Sequence, residues 1–285
     1  MQSVNLTKAA ITILAAALLP LSGQAAGYKF TSFQYPGAFG TVFTAIDDTG
    51  RIAGYANNAN NPQGILVTAA GSLTTVNLNG FLYAIPASIN RLGGIVGTAF
   101  DGTTIYMFQN NANGQAPILN NLFNQTITGI NSSFNTVGNF NASSGQAVYA
   151  KIRGTYYTLM PAANCTSTHD PSINDSSIVA GSCFTHAGTN IGFTWNRGVY
   201  TYIQLPPGAT YMQPTSINRA GVVAGFYIEA SGFTHGFVYS NGVFTTVDYP
   251  GAGVTNTQIL GINNAGKIVG SYYGPGLTAF SAIPQ

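Results

Sequence analysis

Hydrophobic and polar positions alternate in short runs along most of this 285-residue chain, and no stretch after Ala26 carries the 3.6-residue spacing of an amphipathic helix. The runs recur around one phrase, small-Ile-Asn-x-x-Gly-x-hydrophobic-Val/Ala-Gly-x, which begins at Ala45, Ser88, Gly129, Ser172, Ser216 and Gly261. Its isoleucines, Ile46, Ile89, Ile130, Ile173, Ile217 and Ile262, stand 41 to 45 residues apart. A period of that size marks a radial or stacked array of small supersecondary units.

Each phrase predicts a β-hairpin. Asn or Asp at the first position of a type I turn caps the turn through its side chain, and Gly at the fourth accepts the exit conformation. Phe134 and Ser177 stand where that glycine belongs in the third and fourth copies, so these two hairpins depart from the rule. The second glycine of the phrase (Gly54, Gly97, Gly138, Gly181, Gly225, Gly270) lies inside a strand, where a missing side chain lets backbone or an aromatic ring approach. In the fifth repeat a third strand, His235 to Tyr239, is followed by the turn Ser240-Asn241-Gly242 and a fourth strand, Val243 to Asp248. Four short antiparallel strands per period predict an all-β chain folded as a six-bladed β-propeller.

The chain ends predict how the ring closes. Phe30 to Ala38 (FTSFQYPGA) matches Phe244 to Ala252 (FTTVDYPGA), so the chain begins with a fourth strand, while the last repeat stops soon after Ala279-Phe280-Ser281 without one. The N-terminal strand is therefore expected to complete the last blade and remove its open edge. Residues 27–285 then form a single propeller domain.

The string Ser216-Ile217-Asn218, Val223-Ala224-Gly225, Thr234-His235-Gly236-Phe237 and Phe244 to Ala252 resembles the bacterial extracellular repeats called the HAF family, after a His-Ala-Phe triplet on the third strand. The resemblance spans essentially the whole chain after Ala26. It implies a secreted repeat protein and no particular reaction. The triplet histidine survives here at His235, with Gln63, Thr104, Gln146 and Thr278 at the corresponding places of other repeats.

Met1 to Ala26 carries Lys8, an apolar run from Ala9 to Leu21 and a small-residue stretch ending in Ala25-Ala26, the layout of a secretory signal peptide. The run is too short to span a bilayer, so a secreted or periplasmic protein without a membrane span is expected. Charged residues are 6% of the chain, against about 25% in typical soluble domains. The formal net charge is +2 with no basic run, which excludes the electrostatic footprint of a nucleic-acid binder.

Candidate chemistry is sparse. The ring Asp47, Asn90, Asn131, Asn174, Asn218 and Asn263 offers oxygens to a cation, but contains one carboxylate, and turn capping already accounts for it. Cys165, His169, Cys183 and His186 have a spacing that zinc accepts; in an exported chain a Cys165–Cys183 disulfide stapling a longer loop is the simpler reading, with both histidines ordinary loop residues. Glu229 and His235, in the loop of the fifth blade, are with Asp101 the weak catalytic candidates for a hydrolase or lyase at the channel mouth. No phosphate loop, nucleophile elbow or metalloprotease helix is present, and no cofactor is expected. Aromatic residues are plentiful on the loops joining second to third and fourth to first strands: Tyr83, Phe100, Tyr211, Tyr227 and Tyr272 are singled out as ligand-binding candidates, with Tyr249 and Tyr273 nearby. Aromatic faces beside amides suit an uncharged glycan or a protein partner, though rings of this kind also pack between blades. The favoured reading is a monomeric secreted binding module.

Overall fold

The computed structural model describes residues 27–59, 61–110, 118–120, 125–142, 145–160, 165–251 and 253–285. The signal peptide expected over Met1 to Ala26 lies outside them. All the regular structure described is β, and no helix among these residues is long and apolar enough to cross a membrane.

The chain opens with β1 (Tyr28–Phe33) and runs into the first repeat, β2 (Gly40–Ile46), β3 (Ile52–Asn57), β4 (Pro62–Val67) and β5 (Leu73–Val76). The second holds β6 (Tyr83–Ile89), β7 (Ile95–Phe100), β8 (Ile105–Asn110) and β9 (Ile118–Asn120). The third holds β10 (Gln125–Ile130), β11 (Thr136–Ala142), β12 (Gly145–Ile152) and β13 (Thr155–Leu159). The fourth holds β14 (Cys165–Ile173), β15 (Val179–Thr185), β16 (Asn190–Asn196) and β17 (Val199–Ile203). The fifth holds β18 (Ala209–Ile217), β19 (Val223–Glu229), β20 (Thr234–Ser240) and β21 (Val243–Thr246), and the sixth β22 (Asn256–Ile262), β23 (Ile268–Tyr273) and β24 (Leu277–Pro284).

Hydrogen bonding makes four sheets of these strands, not six separate ones. The second, third and fourth repeats each form a four-stranded antiparallel sheet, while the fifth, sixth and first are joined in a sheet of twelve strands. The joints are single parallel bridges, Thr234 to Asn256 and Gly40 to Leu277. Glycine makes the second bridge possible, because a Cβ on Gly40 would sit 3.1 Å from that of Leu277. At the chain ends, β1 runs antiparallel to β24, from Tyr28 opposite Pro284 to Phe33 opposite Ala279. The N-terminal strand thus takes the fourth place in the last repeat.

The repeated phrase folds the same way six times. The first-position Asn or Asp carbonyl accepts from the fourth-position amide in every copy, at 2.9 to 3.1 Å. Phe134 and Ser177, lacking the glycine, adopt the same left-handed exit at φ 58° and 61°. Just before each turn the innermost strand bulges, for instance between Pro86 and Ser88 and between Ile259 and Gly261. The bulge drives a carbonyl at the facing strand: a Cβ on Gly97 would lie 2.0 Å from the oxygen of Ile85, and one on Gly270 1.9 Å from that of Gln258. This close backbone approach is the reason for the second glycine in five repeats; at Gly181 the facing carbonyl of His169 would lie 3.1 Å from a Cβ.

Among the described residues the buried apolar side chains fall into six clusters, each straddling two successive repeats. Val96 and Met107 of the second repeat meet Ile127 and Ile130 of the third, and Ile46 and Ile65 of the first meet Val269 and Ala279 of the sixth. Phe30 of β1 packs edge-on to Tyr249, with ring centroids 5.3 Å apart, and against Phe280. The core is therefore spread along the seams, and each repeat depends on both neighbours for burial.

Candidate functional site

The inner ends of the six repeats converge on a small cavity of about 90 Å³, lined by residues of every repeat. The side chains of Asp47, Asn90, Asn131, Asn174, Asn218 and Asn263 are buried around it. Each Oδ1 accepts the amide of the residue four further on, at 2.8 to 3.0 Å. Each asparagine then uses its Nδ2 to donate to the carbonyl of its counterpart in the next repeat, from Asn90 to Asn131 at 2.9 Å round to Asn263 and Asp47 at 3.2 Å. Asp47 has no N–H to give. Arg51 fills the gap: Nε donates to Asp47 Oδ2 at 2.7 Å and Nη2 to the Asn90 carbonyl at 3.2 Å. The oxygens considered as cation ligands are thus occupied by amides, and the ring acts as turn cap and inter-repeat tie together.

The next position in each turn, Asp48, Arg91, Ser132, Asp175, Arg219 and Asn264, stands at the mouth of this cavity. Asp48 accepts from both the backbone and the side-chain amide of Asn264, at 2.8 and 2.7 Å, and Asp175 accepts from the amide and hydroxyl of Ser132, at 2.7 and 3.0 Å. Among the described residues lining this cavity the ionisable side chains are aspartates and arginines, with neither glutamate nor histidine.

At the opposite ends of the strands a second cavity, of about 280 Å³, opens between the fifth and sixth repeats. Thr234 of β20, Asn256 and Gln258 of β22, Ser271, Tyr272 and Tyr273 of β23 and Leu277 of β24 line it. It contains hydroxyls, amides and phenol rings and no charge. Tyr272 stacks on Tyr249 at 3.7 Å between centroids, and Tyr273 is 52% exposed. Burial raises the Tyr249 phenol above its ordinary pKa, and its hydroxyl bonds that of Ser32 at 2.6 Å.

Next to this cavity His235 sits at the start of β20, one residue beyond Thr234, and Glu229 ends β19. They are strand residues flanking a four-residue connection, not members of a long loop. His235 Nδ1 lies 2.7 Å from Asp248 Oδ2 and its Nε2 3.6 Å from Glu229 Oε1, with the ring stacked on Tyr227 at 5.1 Å. Asp248 was legible as the partner: the register Phe237 to Thr246 continues to place residue 248 opposite residue 235. Its other oxygen accepts the Gly236 amide at 3.1 Å, so the pair fastens the end of the fourth strand to the third. The Nε2 of His235 is buried and makes no hydrogen bond. Asp101 is not part of this group. It caps the turn between β7 and β8, accepting the Thr103 and Thr104 amides and the Thr103 hydroxyl at 2.8 Å, and these bonds lower its pKa to about 2.

The remaining aromatic candidates belong to paired strands rather than to loops. Tyr83 and Phe100 face each other across β6 and β7 with centroids 5.4 Å apart, and Tyr211 lies between Phe184 and Phe226. Tyr227 is buried, raised in pKa chiefly by that burial, and bonded to the Thr246 hydroxyl at 3.0 Å. Of the five, Tyr272 alone borders the seam cavity, where Tyr273 supplies the exposed ring.

Cys165 and Cys183 form the disulfide, linking β14 to β15 rather than stapling a loop. Their sulfurs are thereby withdrawn from zinc, and no group of three metal-binding side chains occurs among the described residues. His169 is a half-buried residue of β14, held between Gln146 Oε1 on Nδ1 and the Ser167 hydroxyl on Nε2, and burial lowers its pKa. His186 lies in the turn after β15 and has a partner of its own.

No known protein family and no curated protein matches the sequence. Solved structures do match in shape. TolB from Acinetobacter baumannii superposes with a TM-score of 0.59 at 11% identity over 79% of this chain; the match spans 65% of that protein, less than two thirds of its length. The β-propeller domain of the trilobed protease from Pyrococcus furiosus gives 0.55 at 9% identity, covering 90% of this chain and 84% of that one. A gluconolactonase from Xanthomonas campestris gives 0.54 at 12%, covering 100% and 94%. Likeness at these identities establishes the fold alone: the chain is a β-propeller.

Proposed function

We propose that this chain is a secreted, closed six-bladed propeller of the HAF-repeat kind that binds an uncharged glycan in the cavity between its fifth and sixth repeats. The observation that carries this reading is the lining of that cavity: one exposed and one stacked tyrosine beside Asn256, Gln258, Thr234 and Ser271, with no charged side chain. Sugar rings present apolar faces for stacking and hydroxyls for amides, which such a surface matches. Six four-stranded groups, six seam clusters and the β1–β24 ladder support the closed ring, and the disulfide supports an oxidising compartment.

A hydrolase or lyase is the second reading, favoured by the Asp248–His235–Glu229 group beside the same cavity. Against it, the nitrogen that would exchange a proton with substrate is shut away from solvent. The deciding experiment is a neutral-glycan array on residues 27–285, followed by calorimetry with Tyr273→Ala. Binding weakened roughly tenfold by the substitution, about 1.4 kcal/mol, supports the binding module. Unchanged binding, no bound neutral glycan, or glycan cleavage abolished by Glu229→Gln overturns it.

A further inference from the structure

Nine basic and seven acidic residues carry all the formal charge of the chain, and seven of them (Asp47, Asp48, Arg51, Arg91, Asp175, Arg219 and Lys267) stand in the six inner turns. Nearly half the charge is thus gathered on one end of the ring. The Asn-to-carbonyl bonds fix the order of the repeats around that end, so the residues at the mouth follow each other as Asp48, Arg91, Ser132, Asp175, Arg219 and Asn264. Acid, base and neutral occur twice in the same sequence, three repeats apart. Both carboxylates are held by neutral amide or hydroxyl donors and, among the described residues, make no ion pair. Both guanidinium groups are exposed and, among the described residues, make neither an ion pair nor a hydrogen bond.

Turning one ring over onto another through a two-fold axis reverses the order of residues around the mouth. Under that operation the acid–base–neutral order is self-complementary: every acid meets a base and the two neutral positions meet each other. We propose that the mouth of the central cavity is a docking face for a second copy of this chain, in an isologous dimer. Asp48 pairs with the partner's Arg91 and Asp175 with the partner's Arg219, each pair occurring twice by symmetry, and Ser132 faces the partner's Asn264. Leu92, 48% exposed beside Arg91, adds apolar area to the same face. The pairs are solvent-edged, so they set register and salt sensitivity more than they set strength. This departs from the monomer expected of the sequence. It leaves the seam cavity open, since that cavity lies at the far end of the seven-residue strand β22, about 20 Å away.

Sedimentation velocity on residues 27–285 tests the proposal over a concentration series in about 10 mM and about 1 M salt, where the screening length falls from about 30 to about 3 Å. The expected result is a concentration-dependent dimer in low salt that weakens at least roughly tenfold in high salt. The doubly reversed variant Arg91→Asp, Arg219→Asp touches side chains without partners in the monomer and should be folded and monomeric. Asp48→Arg, Asp175→Arg should also be monomeric, at some cost in stability because it removes the bonds to Asn264 and Ser132, and an equimolar mixture of the two variants should form a heterodimer. A wild-type protein that stays monomeric in low salt, or a dimer indifferent to salt and to the arginine reversal, overturns the proposal. Glycan binding by the arginine variant is expected to be unchanged, so loss of the dimer and failure of the glycan reading give separate results.

Discussion

The inner and outer ends of these repeats differ in how uniform they are from one repeat to the next. At the inner end all six turns keep one geometry, and each Asn side chain does two things: it caps its own hairpin and donates to the next repeat. At the outer end the equivalent positions differ from repeat to repeat, with His235 paired to Asp248 in one and Gln63 bonded to Asn77 in another. A side chain with the same two geometric obligations in every repeat has few replacements, whereas the rim side chains meet different neighbours from one repeat to the next. The first repeat makes the point from the other side: where Asp47 stands in place of an asparagine, the ring is completed by an arginine that supplies the missing donor.

The severest break is removal of the strand on which closure rests. Deleting residues 27–33 removes the whole ladder to β24 and the buried Phe30, and exposes two sheet edges. Loss of a cooperative melt, with aggregation, is the expected outcome in thermal unfolding followed by circular dichroism; a truncated chain melting at the parental temperature refutes closure by β1.

A subtler break targets the odd member of the ring. Arg51→Ala leaves the nearly inaccessible Asp47 carboxylate without its ion pair and the Asn90 carbonyl with the Gly93 amide but without its second donor. A cost of about 2–3 kcal/mol is expected in denaturant unfolding, below the range for a fully buried pair because 34% of the Arg51 side chain is exposed. Adding Asp47→Asn should recover part of that loss, since the new amide can donate to Asn90 as the other five do to their neighbours. A double variant less stable than Arg51→Ala alone contradicts this account of the ring.

Reducing Cys165–Cys183 is expected to destabilise the chain by about 2–4 kcal/mol, in the manner of an ordinary loop closure. Smaller still is the effect of pH on the neighbouring His169. Its pKa is depressed in the folded state by burial, so the unfolded chain binds the proton more readily. Its contribution is complete above the ordinary histidine pKa of about 6.5 and is lost as pH falls through the lower folded value. Stability measured downward from pH 7 should decline less in His169→Gln than in the parent. At the rim, Tyr273→Ala should leave stability within about 0.5 kcal/mol of the parent while affecting ligand, since the ring is exposed.

Much of the architecture was legible because it is local. Alternation, the Asn-x-x-Gly turns and the 41-to-45-residue period read out the strands and the number of repeats, and the match between Phe30 to Ala38 and the stretch after Phe244 pointed to the pairing of β1 with β24. The Cys165–Cys183 bond followed from two cysteines and the expectation of export. Each of these depends on contacts within a hairpin or on a register that the repeat itself fixes.

What the sequence left open depends on distances between repeats. The second bond of each ring asparagine, Arg51 standing in for an amide, the fusion of three repeats into one sheet, and the gathering of Thr234, Asn256, Tyr272 and Tyr273 round one cavity are set by how neighbouring units lean together. The same aromatic composition at the rim serves packing in Tyr227 and stands exposed in Tyr273. Spacing along the chain determines which strands form and which turns join them. The packing of one repeat against the next decides which side chains are spent inside the structure and which stand exposed at the rim.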